Sequence, residues 1–235
     1  MSAMKHLAAV RLLTATGALL VTLAGCSNLD LPRGGQADSR STSSATTSRP
    51  AEPRLASASS DAEVASQLAR ATAQADKALP DDTVGYYLDV QTAKLQTLQH
   101  GGLQVRREAD HIRLVLPGSG SFDTGSASLT PAIQTTLDEL ASLLREYDLS
   151  LVLIAGHSDN QGDPNYNLQL SRERARAVGR YLNRHGVDTQ RLVVRGFGDS
   201  HPVADNATEE GRTANRRIEL ELWPLVATNR GPGAS

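Results

Sequence analysis

From Leu149 to Ala155 every position except Ser150 is apolar, on both alternating sides of an extended chain. A strand with one face in water alternates apolar with polar residues, so this run predicts a central strand covered above and below. Its neighbours supply the cover. Thr130 is placed as an N-cap and Pro131 at the first helical position, a favoured start. Ile133, Leu137, Leu140, Leu144 and Tyr147 then follow at helical spacing. A second helix is predicted from about Asn167 to His185, with Gly186 closing it. Leu192–Arg195 reads as a strand and 208–214 as a turn or short helix. In 217–222, Ile218, Leu220 and Leu222 alternate with Glu219 and Glu221, as in an amphipathic strand. Upstream, Leu103–Arg107 and His111–Leu116 are short strand candidates around a turn at 108–110. Strand–helix–strand–helix–strand spacing argues for an α/β domain over 103–224 with at least one parallel pair. Aromatic residues are only 3% of the chain, so the core must rest on Leu, Val, Ile and Ala.

The N-terminus speaks to compartment. Lys5 and Arg11 precede a largely apolar run of 14 residues, Leu12–Gly25. A membrane-spanning helix needs roughly 20 residues. The pattern over residues 1–25 is that of a secretory signal peptide. It ends Leu23-Ala24-Gly25-Cys26, which resembles the lipobox of bacterial lipoproteins. Cys26 is the only cysteine, so no internal disulfide can form although export permits them. The lipobox resemblance implies a mature chain starting at Cys26 with thioether-linked diacylglycerol and an amide-linked acyl chain, enough to hold firmly in a bilayer. It also implies outer-membrane sorting, since Ser27 stands where an aspartate favours inner-membrane retention.

Loss of residues 1–25 removes Lys5, Arg11 and no acid, so 24 basic against 26 acidic residues become 22 against 26, and the formal charge moves from −2 to −4. An acidic chain offers no electrostatic case for binding nucleic acid. Residues 26–60 are rich in Ser, Thr, Ala, Pro, Gly and Arg without apolar periodicity, as in a disordered tether. A flexible chain of that length spans roughly 30–35 Å. Residues 61–102 are expected to be helical. Val64, Leu68, Ala71, Ala75 and Ala78 recur before Pro80, and Val84, Leu88, Gln91, Leu95 and Leu98 line a second helix over about 82–99. Tyr86 and Tyr87 read as packing residues, and residues 225–235 as a frayed tail.

From Ile154 the chain carries Gly-His-Ser-Asp-Asn (156–160), then Asn167-x-x-Leu170-Ser171-x-x-Arg174-Ala175, then Gly-x-Gly (196–198) ahead of Pro202 and Asn206, then Gly211-Arg212-x-x-Asn215-Arg216-Arg217. In this order and spacing the motifs resemble the OmpA-like C-terminal domain shared by outer-membrane protein A, the peptidoglycan-associated lipoprotein and flagellar stator anchors. The stretch 85–96 is also similar to the YiaD-type lipoproteins of that family. The resemblance implies an OmpA-like two-layer fold, a mixed sheet with packed helices, and noncovalent binding to diaminopimelate in the uncrosslinked stem peptide of peptidoglycan. Carried over by motif position, Asp159 would pair with the ligand's ammonium and Arg174 with its carboxylate. Asn167 would line the site, and the backbone N–H groups of the Phe122–Asp123 turn would meet the ligand. Relatives often carry a second Asp near Gly125, where this chain has glycine. His157 and Asn160 would orient the loop, and Arg212, Asn215, Arg216 and Arg217 would tie the last strand to the preceding loop.

The chemistry suits those residue types. The side-chain end of diaminopimelate is an amino-acid zwitterion, and a guanidinium can hold a carboxylate through two parallel hydrogen bonds. At 100° per residue, Leu168, Ser171, Ala175, Val178 and Leu182 share one side of the helix, with Glu173, Arg176 and Arg180 opposite as a solvated face. Arg174 borders the apolar stripe on the side of Asn167. Alternatively it lies along the surface, or pairs with Asp159 itself. Asn167 is also a plausible helix N-cap.

Catalysis by Ser158, His157 and Asp159 is not expected, since side chains at adjacent positions diverge and cannot form a nucleophile–base relay. No metal site or cofactor is expected, because His-x-Asp alone supplies too few ligands. A rival to wall anchoring is a periplasmic regulatory or assembly lipoprotein that binds a protein partner through residues 61–102.

Overall fold

The structure is a computed structural model and describes residues 54–75, 77–98 and 102–227. The expected signal peptide, Cys26 and most of the expected tether lie outside the described residues, as does the tail from 228. Six strands form one sheet in the order β1-β5-β4-β6-β3-β2. They are β1 Ala56–Ser57, β2 Gln104–Arg107, β3 Ile112–Pro117, β4 Ser150–His157, β5 Leu192–Gly198 and β6 Arg217–Pro224. The pairs β1–β5 and β4–β5 are parallel, while β4–β6, β6–β3 and β3–β2 are antiparallel. The helices are α1 Asp61–Gln74, α2 Val84–Gln96, α3 Pro131–Glu146, α4 Pro164–Arg184 and α5 Glu209–Asn215.

The mixed α/β sheet with packed helices is as the sequence predicts. β4 is central and buried at all eight positions, as a strand apolar on both faces over 151–155 must be. Val152 and Ile154 of β4, Leu192 and Val194 of β5, and Ile218, Leu220 and Leu222 of β6 form the main core with α2, α3 and α4. The opposite register of the same strands, Leu151, Leu153 and Val193, joins Ala58 and Leu225 in a second cluster. Val64, Leu68, Ala71 and Ala75 of α1 pack over it. The helix of small residues therefore supplies the second cover for β4, although none of its residues is itself buried.

Several boundaries differ. β1 ends the tether before residue 60, because its backbone pairs with β5 at Val193 and Val194. α1 stops at Gln74, with Ala75 already extended, well before Pro80. Packing does not break at residue 103. Leu88 and Leu95 of α2 are fully buried in the main core, so part of 61–102 belongs to the domain. Thr130 is the N-cap by position, but its hydroxyl donates to the Gly120 carbonyl at 2.6 Å rather than capping α3. α4 begins earlier than predicted and Asp163 caps it, accepting from the Tyr166 N–H at 2.9 Å. Tyr87 packs on the core, whereas Tyr86 is 77% exposed.

Two glycines let α4 lie close on the strand ends. A Cβ at Gly156 would collide with the Ser171 carbonyl, and one at Gly196 would sit 2.7 Å from the Arg172 Cβ. Ser171 completes the join, accepting from the Gly198 N–H at 3.0 Å and donating to the Leu168 carbonyl at 2.8 Å. This close seat fixes where the exposed edge of α4, and with it Arg174, meets the loops beyond β3, β4 and β5.

Candidate ligand-binding site

Three loops and the first half of α4 converge at one end of the sheet. The loop after β4 carries Asp159, 8% exposed. One carboxylate oxygen accepts from the Gln161 N–H at 3.1 Å. The other accepts from Arg216 Nη1 at 2.6 Å. Arg216 also donates to Glu209 at 3.0 Å and to the Thr213 hydroxyl at 2.7 Å. These contacts stabilise the charged forms on both sides. Hydrogen bonding to Asp159 raises Arg216, and hydrogen bonding to Arg216 and Arg212 lowers Glu209. Asp159 is thus held in place by two donors, and each of its carboxylate oxygens keeps a lone pair for a further one.

Asn167 is 7% exposed, one turn inside α4. It does not cap the helix. Its side-chain N–H donates to the Gln161 carbonyl at 2.8 Å and to the Asp159 carbonyl at 3.4 Å, so it fixes the Asp159 loop.

Arg174 faces the loop after β3. Its Nε donates to the Ser126 carbonyl at 2.9 Å, and its guanidinium lies 5.1 Å from the centre of the Phe122 ring. Burial pushes it below the usual guanidinium value and nearby Arg216 adds to the shift, while Tyr166 and Asp159 act the other way. Arg174 remains charged, since guanidinium does not deprotonate in proteins. Among the described residues no carboxylate is ion-paired to it. The ion pair with Asp159 belongs to Arg216 instead. The site therefore sets a fixed anion near a half-buried cation that holds no counterion.

Phe122 is buried beneath Arg174 and bridges to Leu129. The Asp123 N–H donates to the Ser128 carbonyl at 3.1 Å, so this donor is already used within its own turn. Tyr166, 55% exposed, donates its hydroxyl to the Gly125 carbonyl at 3.3 Å. Gly125 has φ +64°, which an aspartate there would adopt only with strain. Asn160 sits in the loop, its N–H 3.4 Å from the Asn206 side-chain oxygen.

His157 takes no part in holding the loop. It is 4% exposed, stacked 5.0 Å from Phe197, with neither ring nitrogen hydrogen-bonded. Burial, then Arg217, drives its pKa down to about 3. The Ser158 hydroxyl donates to the Asp159 carbonyl at 2.9 Å, so the three residues form no nucleophile–base pair.

The residues of the last motif divide. Asn215, fully buried, accepts from the Val203 and Ala204 N–H groups and donates to the Ala204 carbonyl at 2.9 Å, latching the loop after β5. Arg212 and Arg217 bond carbonyls of the same loop and of the turn into β6. Arg216, expected to serve with them, instead braces Asp159. Its direction could have been read from the sequence, because successive side chains entering a strand point to opposite faces.

Residues 121–216 match the model of the OmpA family. The chain is 43% identical over 143 residues to "Probable lipoprotein YiaD" of Escherichia coli (strain K12), covering 60% of this chain and 65% of that one. It thus spans less than two thirds of that relative's length. It is 35% identical over 127 residues to "Outer-membrane lipoprotein YfiB" of Pseudomonas aeruginosa, covering 54% of this chain and 74% of that one. Among solved structures, the cell wall anchor of the T6SS from Pseudomonas aeruginosa superposes with a TM-score of 0.50 at 32% identity, over 58% of this chain and 96% of that one.

Proposed function

As the chain belongs to the OmpA family, we propose that its C-terminal domain binds peptidoglycan noncovalently through the diaminopimelate of the stem peptide. Lipid on Cys26 would hold the chain to the outer membrane with the domain facing the periplasm. One observation carries the reading: a half-buried Arg174 that pairs with no carboxylate among the described residues, at the same end of the sheet as the braced Asp159 carboxylate. An amino-acid zwitterion complements that pair, its carboxylate meeting Arg174 and its ammonium the free lone pairs of Asp159. Asn167 and the Phe122–Asp123 turn shape the walls. The relatives named as lipoproteins and the cell wall anchor support the same reading.

Purified sacculi should carry the chain into the pellet, and Asp159→Ala or Arg174→Ala should leave it in the supernatant with its circular dichroism intact. A wild-type chain that never sediments with sacculi contradicts the reading. For the anchor, Cys26→Ala should yield an unprocessed or soluble species, and acyl label on that variant would refute lipidation there. A second reading, capture of a periplasmic protein through residues 61–102, has one favourable observation, the exposed Tyr86 ring on α2. A Tyr86→Ala variant that keeps sacculus binding but loses a co-purifying protein would support it.

A further inference from the structure

A cleft of about 490 Å³ opens beside Arg174, between α4, α3 and the Ser126–Leu129 segment. This is within the size range of small-ligand sites, about 300–1,000 Å³. Ser126 belongs to both places, lining the cleft while its carbonyl holds Arg174. Arg174, Ala177, Tyr181 and Arg184 follow at intervals of three, four and three, a single helical stripe, so the cleft continues the site along α4. Ala177 is a small floor. Tyr181 is a fixed wall, its hydroxyl donating to Asp138 at 2.8 Å. Asp138 in turn lies 3.3 Å from His185 Nε2, so the acid at this rim is engaged. Arg180 lines the cleft too, where the sequence placed it on a solvated face. At the far end Arg184 is exposed, its guanidinium 5.9 Å from the Tyr181 ring centre and without an ion pair among the described residues.

We propose that this cleft is a second subsite of the same ligand, in which Arg184 meets the carboxylate of the acidic residue next to diaminopimelate in the stem peptide. The proposal rests on the wall-binding reading above. Arg174 and Arg184 are about 15 Å apart along the helix axis, from a rise of about 1.5 Å per residue. The side-chain carboxylate of diaminopimelate and the α-carboxylate of a γ-linked glutamate are separated by a chain of about eleven bonds, roughly 14 Å when extended at bond lengths of about 1.3–1.5 Å, so one ligand can reach both. A peptide gripped at Arg174 by its diaminopimelate side chain would lay its neighbouring γ-linked glutamate along the cleft. The free α-carboxylate of that glutamate is the complementary charge.

The test is calorimetry on the full mature chain with alanyl-γ-glutamyl-diaminopimelate and with the same tripeptide carrying the glutamate α-carboxylate as an amide. The wild type should prefer the acid by about threefold or more, the scale of a partly exposed ion pair. Arg184→Ala should bring the acid-to-amide ratio close to one, and Arg184→Glu should invert it. Equal affinity of the wild type for acid and amide would overturn the subsite, and so would an unchanged ratio in Arg184→Ala. A wild type that binds neither tripeptide nor free diaminopimelate would overturn the wall-binding reading itself.

Discussion

Asp159 and Arg174 enter the folded protein as a matched pair in sequence motifs, and the fold treats them differently. Asp159 is neutralised from behind by Arg216, while Arg174 is desolvated and has no counterion among the described residues. The motif types made both visible in the sequence; the brace was hidden because Arg216 sits 57 residues from Asp159 and reads as one of three similar arginines. His157 was hidden for another reason. Beside a binding loop it invites a polar role, yet its strand register turns it onto Phe197 on the face away from α4. With its folded pKa near 3 and an ordinary value of 6.5, the unfolded chain gains a proton below pH 6.5 that the folded one refuses. The stabilisation from neutral His157 is therefore complete above 6.5 and lost between 6.5 and 3, at up to about 1.4 kcal/mol per pH unit. His157→Phe should shrink the fall in stability between pH 7 and pH 5 by roughly 1–2 kcal/mol in urea unfolding. An equal pH dependence in variant and wild type would refute this.

At the scale of elements, periodicity located α1 to α4 and the long strands, because burying one stripe or one face imposes 3.6 or 2 on the sequence, while the short α5 reads only as a turn or helix. It misjudged ends. Caps depend on single side chains with alternatives, and Asp163 outcompetes Asn167 while Thr130 turns to Gly120. It also missed Arg191, whose buried guanidinium donates to Leu144 at 2.6 Å, Tyr147 at 3.1 Å and Ser150 at 2.8 Å. Three carbonyls at the end of α3 and the start of β4 are thereby satisfied, and the negative end of the helix dipole offsets the buried charge. Burial lowers Arg191 from its ordinary value. Arg191→Met should cost about 2–4 kcal/mol by leaving those carbonyls unpaired, read as a lower urea midpoint at unchanged slope. A loss below 0.5 kcal/mol, on the order of a surface substitution, would show that the staple is dispensable.

At the scale of the whole molecule, the described residues form one sheet with unequal covers. Three helices make the deep core on one face, and α1 makes a shallow one on the other. The central strand, apolar on both faces, announced both covers, but which segment made the second could not be read from a helix of alanines with so little to bury. α2 belongs with the deep core. A chain beginning at residue 103 lacks Leu88 and Leu95 and should lose more than about 4 kcal/mol relative to one beginning at residue 54. Equal urea midpoints for the two would place the domain boundary at 103 after all. A double-mutant cycle tests the proposed grip on the wall most directly. Calorimetry with a diaminopimelate-containing muropeptide should show Asp159→Ala and Arg174→Ala each losing about 2–5 kcal/mol, and the double variant losing little more, because both residues neutralise one zwitterion. Arg176→Ala should stay within about 0.5 kcal/mol of wild type. Wild-type affinity in both single variants would contradict the site, even if the domain still held the wall by another surface.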